Sequence, residues 1–164
     1  MTATAEDVKQ IVGMVEGALL DEVEAGCKEV SGRAMMFDTK TMVSAIAPFV
    51  FDFGKDLYFK GIGMLWSQTS TAEDTVFGII TEGWGAEFAD RSEAKKFEES
   101  DKHVHDLNKR IEVVMINVGT KDSVSSILYD LERKENGDIF LINRKEKLEG
   151  VESKLFDIFF SQLK

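Results

Sequence analysis

The stretch VFGIITEGWGAEF, residues 76–88, decides how this chain is read. Side chains at i and i+2 of a strand share one face. Val76, Ile80, Glu82, Trp84 and Phe88 therefore fall on one side, with Phe77 and Ile79 on the other. Apolar residues of both parities at its start predict a strand, Thr75 to Phe88, that is covered on both faces. Gly83 and Gly85 flank Trp84, which points to a bulge or a close backbone approach. Glu82 is the anomaly, because a carboxylate among core-building residues is costly unless paired and hydrogen-bonded. Arg110, Arg133 and Arg144 each open or end a neighbouring predicted strand and are its available partners.

Downstream, RIEVVMINV (110–118) reads as the next strand and GTKDS as a turn. SSILYDLER and DIFLINRK then flank Asn136-Gly137, the strongest short hairpin signal. A two-residue loop there pairs Arg133 with Phe140, Leu131 with Ile142 and Tyr129 with Arg144. Between the central strand and residue 110 the chain is polar, with a short exposed helix expected over 91–99 because long structureless excursions are uncommon.

Upstream, Val8, Ile11, Val12, Val15, Leu19, Val23, Cys27 and Val30 recur at spacings of three and four, predicting one amphipathic helix. Thr4 is its N-cap, with Asp7 completing a capping box, and Ser31-Gly32 its stop. Gly13, Gly17 and Gly26 lower its helix propensity and point to close approach of a neighbour. Residues 33–48 carry no decisive pattern. Phe49 to Phe53 reads as a strand, and GKDLYFKGIGMLW (54–66) as a second short strand after a turn at Gly54. The single proline, Pro48, belongs at an edge, a strand start or a bulge. The C-terminal residues Leu155, Ile158, Phe159 and Leu163 form a stripe that Phe156 and Phe160 widen, predicting a helix. The sum is an α+β domain spanning 1–164: an N-terminal helix, an antiparallel sheet of about four to six strands and a C-terminal helix.

The net charge of −10, from 30 acidic and 20 basic residues, argues against direct nucleic-acid binding, which needs a basic footprint. It leaves open an acidic inhibitor that occupies a nucleic-acid enzyme, with Asp21, Glu22 and Glu24 as the helix face concerned. A lone cysteine favours a reducing, cytoplasmic setting. The N-terminus MTATAEDVKQ has no secretory pattern, and no apolar run reaches the roughly 20 residues of a membrane span.

Both histidines, His103 and His105, lie in DKHVHD (101–106), where an extended backbone turns them to one side as a metal-ligand candidate. A His-x-His metalloprotease pattern also needs a downstream Ser-x-x-Asp. Ser123, Ser125 and Ser126 are followed three residues on by Ser126, Leu128 and Tyr129, so that pattern fails. Cys27 sits on the apolar stripe as a small hydrophobe. Neither G-x-S-x-G nor a glycine-rich phosphate loop is present. No cofactor is expected.

TEGWGAEF, then RIEVVMI, then YDLER resembles a group of small uncharacterised phage and prokaryotic proteins. In these an S/T-E-A-W strand precedes an R-x-E strand and a strand ending in arginine. The resemblance covers residues 75–145 and falls on Thr81, Glu82, Trp84, Arg110, Glu112, Tyr129 and Arg133. Gly83 departs from it, as do His105 to Asn108. It implies a fold and a phage or mobile-element origin, with host cytoplasm as the setting. The expected polar cluster is Glu82, Trp84, Arg110, Glu112, Tyr129 and Arg133. The expected role is an accessory protein acting on a protein partner or on itself as a homodimer, away from membranes. The alternative is a ligand- or metal-binding enzyme built on that cluster.

Overall fold

The computed structural model describes residues 2–86, 91–100, 110–147 and 154–164. Along these, the order is α1 (Ala5–Glu24), β1 (Arg33–Asp38), β2 (Ser44–Pro48), α2 (Lys55–Trp66), β3 (Thr75–Ala86), α3 (Arg91–Glu98), β4 (Arg110–Gly119), β5 (Val124–Arg133), β6 (Ile139–Lys147) and α4 (Lys154–Phe160). The strands form one antiparallel sheet in the order β2-β1-β3-β4-β5-β6. The fold is α+β, as the sequence predicts. Strands β2 and β3 both run antiparallel to β1, so they are parallel to each other and α2 makes the crossover between them.

The sheet is covered on both sides. Val76 and Ile80 of β3 pack with Val8, Ile11, Val15 and Leu19 of α1. Phe77 and Ile79 pack on the opposite face with Phe59 and Trp66 of α2 and Phe156, Phe159 and Phe160 of α4. Phe77 and Phe159 stack with ring centroids 3.8 Å apart. Phe156 and Phe160, which widen the terminal apolar stripe, are therefore core.

Helix α1 starts as predicted, with Thr4 and Asp7 forming a reciprocal capping box. It ends six residues earlier than the apolar periodicity predicts. Gly26 takes φ +92°, its N–H donates to Val23 O at 3.0 Å, and Cys27 N–H donates to Glu22 O at 3.2 Å. That is a Schellman stop, and glycine is the residue that enters the left-handed region without strain. At Gly13 and Gly17 a methyl group in place of the hydrogen would find no neighbour within 4 Å, so these glycines do not serve close packing.

The region 33–66 differs from expectation. The strands lie before Pro48, not after it, and 55–66 is helix α2. The missed signal is Phe59, Gly63 and Trp66, buried at helical spacing. Phe49 and Phe51 are not paired in a strand but clasp Tyr58 and Phe59. Pro48 closes β2, the sheet edge, where its missing N–H is tolerated. In the β1–β2 loop the buried Asp38 carboxylate accepts the N–H groups of Lys40 and Thr41 at 2.9 and 2.8 Å.

The β5–β6 hairpin forms, but its register is shifted by one: Arg133 pairs with Ile139 and Leu131 with Leu141. Gly137 alone takes a positive φ, Gly137 N–H bonds Lys134 O, and Lys134 N–H bonds Asp138 O. That is a longer loop ending in a glycine bulge, not a two-residue turn. A second bulge follows at Asn143 (φ 54°), where two residues of β6, Asn143 and Arg144, stand opposite one of β5, Tyr129. It brings Arg144 back beside Tyr129.

Candidate functional site

The early stop of α1 leaves residues 27–32 free to run beside the end of β3, and there Glu82 finds its partners. Its Oε1 accepts the backbone N–H of Val30 at 2.7 Å. Its Oε2 lies 3.6 Å from the Arg133 guanidinium. Arg133 Nε in turn donates to Glu112 Oε2 at 3.0 Å, and its Nη1 donates to Lys28 O at 2.8 Å. The Glu112 hydrogen bond, ahead of the Glu112 and Glu82 charges, raises the Arg133 pKa above its ordinary value. The cluster is half-buried and ties β3, β4 and β5 to the α1–β1 connection.

Three of the six predicted cluster residues, Glu82, Glu112 and Arg133, are thus brought together. Trp84 and Arg110 hold their places in the ladder, opposite Glu112 and Ala86, with side chains outside the described residues. Tyr129 belongs to a different group. Its hydroxyl donates to Glu16 of α1, and Arg144 grips the same carboxylate through Nε at 2.6 Å and Nη2 at 3.1 Å. Arg144 Nη1 also donates to Glu146 at 2.9 Å. A two-pronged guanidinium–carboxylate contact of this kind is strong and directional. Burial pushes the Glu16 carboxyl up, but the Arg144 and Tyr129 hydrogen bonds outweigh it and hold the group below its ordinary value. Burial and the Glu16 acceptor push the Tyr129 hydroxyl up to about 12. Sequence reading missed Glu16 because its place on the solvent-side parity of α1 gives no hint of a sheet partner.

In both groups the carboxylates and guanidiniums bond to one another, to Tyr129 or to backbone groups, as structural polar clusters do. A cavity of about 170 Å³ between α1 and the β1–β2 loop is lined by Asp7, Gln10, Phe37, Asp38 and Met42 among others, apart from either cluster. Asp38 is already satisfied by its loop. His103 and His105 lie outside the described residues, and among the described residues no group of three His, Cys, Asp or Glu is placed to hold a metal ion. Cys27 packs against the α1-side core. Burial, then the Glu22 and Glu82 charges, raise its thiol pKa, so it is kept as the thiol. On the acidic face of α1, Glu22 is joined to Arg33 at 2.8 Å. Among the described residues no helix is long and apolar enough to cross a membrane.

The feature that sequence reading overlooked lies along the β2 edge and on α2. Met42 and Val43 before β2, Ile46 within it, and Leu57, Met64 and Leu65 on the outer face of α2 are all exposed. Ile46 and Leu65 keep 69% and 68% of their surface in solvent. Ile46, Val43 and Leu65 line one shallow groove with Ala45 and Ile62. Leu57, Met64 and Leu65 line an adjoining one with Tyr58 and Gly61. A signal was present: the two longest charge-free runs of this highly charged chain are residues 41–51 and 61–72, and both belong to this face. Comparison with protein-family models, curated proteins and solved structures finds no match.

Proposed function

We propose that this protein works by contact with another protein chain, through the face built by β2 and α2, and not by catalysis. The observation that carries this reading is the group Val43, Ile46, Leu57, Met64 and Leu65, exposed and lining two adjoining grooves along β2 and α2. Contiguous apolar surface of this kind marks interaction sites in soluble proteins. Its neutrality adds support, because charged residues are depleted from the centres of protein interfaces. The polar clusters fit the same reading: among the described residues, the carboxylates of Glu82, Glu112 and Glu16 are held by a backbone N–H group, by arginines and by Tyr129. The resemblance of residues 75–145 to small phage and prokaryotic proteins favours an accessory role of phage or mobile-element origin.

A photo-crosslinking residue placed at Leu65, in cells of the native host, tests this. The expected result is one discrete adduct, absent when the same residue is placed at the exposed Lys9 of α1. Identical products from the two positions, or none from Leu65, would overturn the reading.

A further inference from the structure

We infer that β2 is a self-pairing edge, at which two copies of this chain join their β2 strands antiparallel about a two-fold axis through Ile46. This rests on the contact reading above and names its partner.

The backbone supplies the first argument. Asp38 N–H donates to Val43 O at 2.8 Å and Phe49 N–H to Gly32 O at 3.0 Å. Inward and outward groups alternate along an antiparallel strand. Val43, Ala45, Ala47 and Phe49 therefore address β1, while Ser44, Ile46 and Pro48 address the open side. Placed on the two-fold axis, each Ile46 N–H meets the Ile46 carbonyl of the second copy. Each Ser44 N–H meets the Pro48 carbonyl of the second copy. That carbonyl already accepts the Tyr58 hydroxyl at 2.8 Å, and a carbonyl oxygen has two lone pairs. The N–H that Pro48 lacks falls at the end of this short ladder, so the central Ile46 pair is unaffected by it.

Charge supplies the second argument. A chain of net charge −10 repels its own copy unless they meet on neutral surface. Strand β2, SAIAP, carries no charge. The opposite edge, β6, ends in Arg144, Lys145, Glu146 and Lys147, the charge pattern that keeps a free edge from pairing. The two edges of one sheet thus differ: β6 carries four charges in a row, while β2 carries none and is limited only by Pro48 at its end.

Side chains supply the third. A stable interface buries about 800 Å² per partner, more than a five-residue strand pair alone provides. Ile46 meets Ile46 of the second copy across the axis. Val43 and Leu65, exposed alongside the edge on the α2 side, and Met42, exposed on the α1 side, widen the contact.

Sedimentation of the purified protein over a range of concentrations tests the inference. Wild type should reach twice the 18.4 kDa chain mass. Ile46→Lys should weaken the dimer at least about tenfold, because it brings two like charges together in a desolvated contact. The exposed position of Ile46 keeps this variant folded, which a circular dichroism melt checks at a concentration where wild type is monomeric. Phe140→Lys, on the β6 edge, should leave association unchanged. A wild type that stays monomeric, or an Ile46→Lys variant that associates as tightly as wild type, would overturn self-pairing. If wild type is monomeric while the Leu65 crosslink still yields a discrete adduct with a different protein, the contact reading stands without self-pairing. If neither association nor adduct is seen, both fall.

Discussion

Glu82 Oε1 accepts the backbone N–H of Val30 at 2.7 Å, joining the end of β3 to the segment that leaves α1. This bond accounts for an acidic residue on a core-facing parity. Its position is at the end of the strand, past the reach of α1, where an extended backbone needs an acceptor and Arg133 needs a counter-charge.

Truncating that carboxylate should therefore destabilise the fold. Glu82→Ala is expected to lose about 1–2 kcal/mol, most of it from the stranded Val30 N–H. The ion pair with Arg133 is partly exposed and contributes little of this. Glu82→Gln keeps an acceptor for Val30 and should lose less. Urea unfolding measures both, and a Glu82→Gln variant more stable than wild type would show the carboxylate to be held for something other than structure.

The Glu16–Tyr129 contact makes stability depend on pH at both extremes. An ordinary tyrosine titrates near 10, whereas Tyr129 in the fold is raised to about 12 by burial and by Glu16. Between these values the folded chain keeps a proton that the unfolded chain releases. The contribution is complete below pH 10 and is lost as pH rises through 12, at up to about 1.4 kcal/mol per pH unit. Glu16, held below its ordinary value, has the opposite sign: its contribution is present above about pH 4.5 and is lost as pH falls. Tyr129→Phe should remove the alkaline part of the stability profile. An unchanged alkaline slope in that variant would assign the loss to other groups.

Two glycine substitutions should move stability in opposite directions. Gly17→Ala, in the exposed interior of α1 with open space around it, should gain about 0.5–1 kcal/mol from helix propensity. In Gly63→Ala the new methyl would stand 2.7 Å from the Phe159 carbonyl oxygen, where α2 and α4 touch. The backbone must shift, and the expected loss is about 1–3 kcal/mol despite the same propensity gain. Thermal melts of the pair compare them directly.

The bulge at Asn143 is predicted to govern the Arg144–Glu16 contact. Asn143 sits at φ 54° and donates to Asp130 at 2.9 Å. Asn143→Gly should stay within about 1 kcal/mol of wild type, since glycine accepts this backbone freely. Asn143→Val should lose about 1–3 kcal/mol. In the valine background a double-mutant cycle between Glu16 and Arg144 should show reduced coupling. Full coupling there would mean that the guanidinium reaches Glu16 without the bulge.

Much of the framework was written locally in the sequence. The capping box at Thr4, the two parities of β3, the strand over 110–119 and the terminal apolar stripe each depend on residues a few positions apart, so periodicity and capping suffice to find them. The pairing of Glu82 with an arginine was legible too, since an isolated carboxylate at that parity needs one. What sequence could not decide were choices between near-equal local options. Residues 54–66 satisfy a short strand or a helix until α4 presents the surface that Gly63 fits. The loop at Asn136 accepts either of two hairpin geometries, and the choice moves the register by one residue. Glu16 meets Arg144 across 128 positions of chain, a contact no local pattern records. The exposed β2–α2 face is of the same kind: each residue in it is an ordinary apolar residue in its own segment. Only the folding of a neutral edge strand against a neutral helix face makes them one surface.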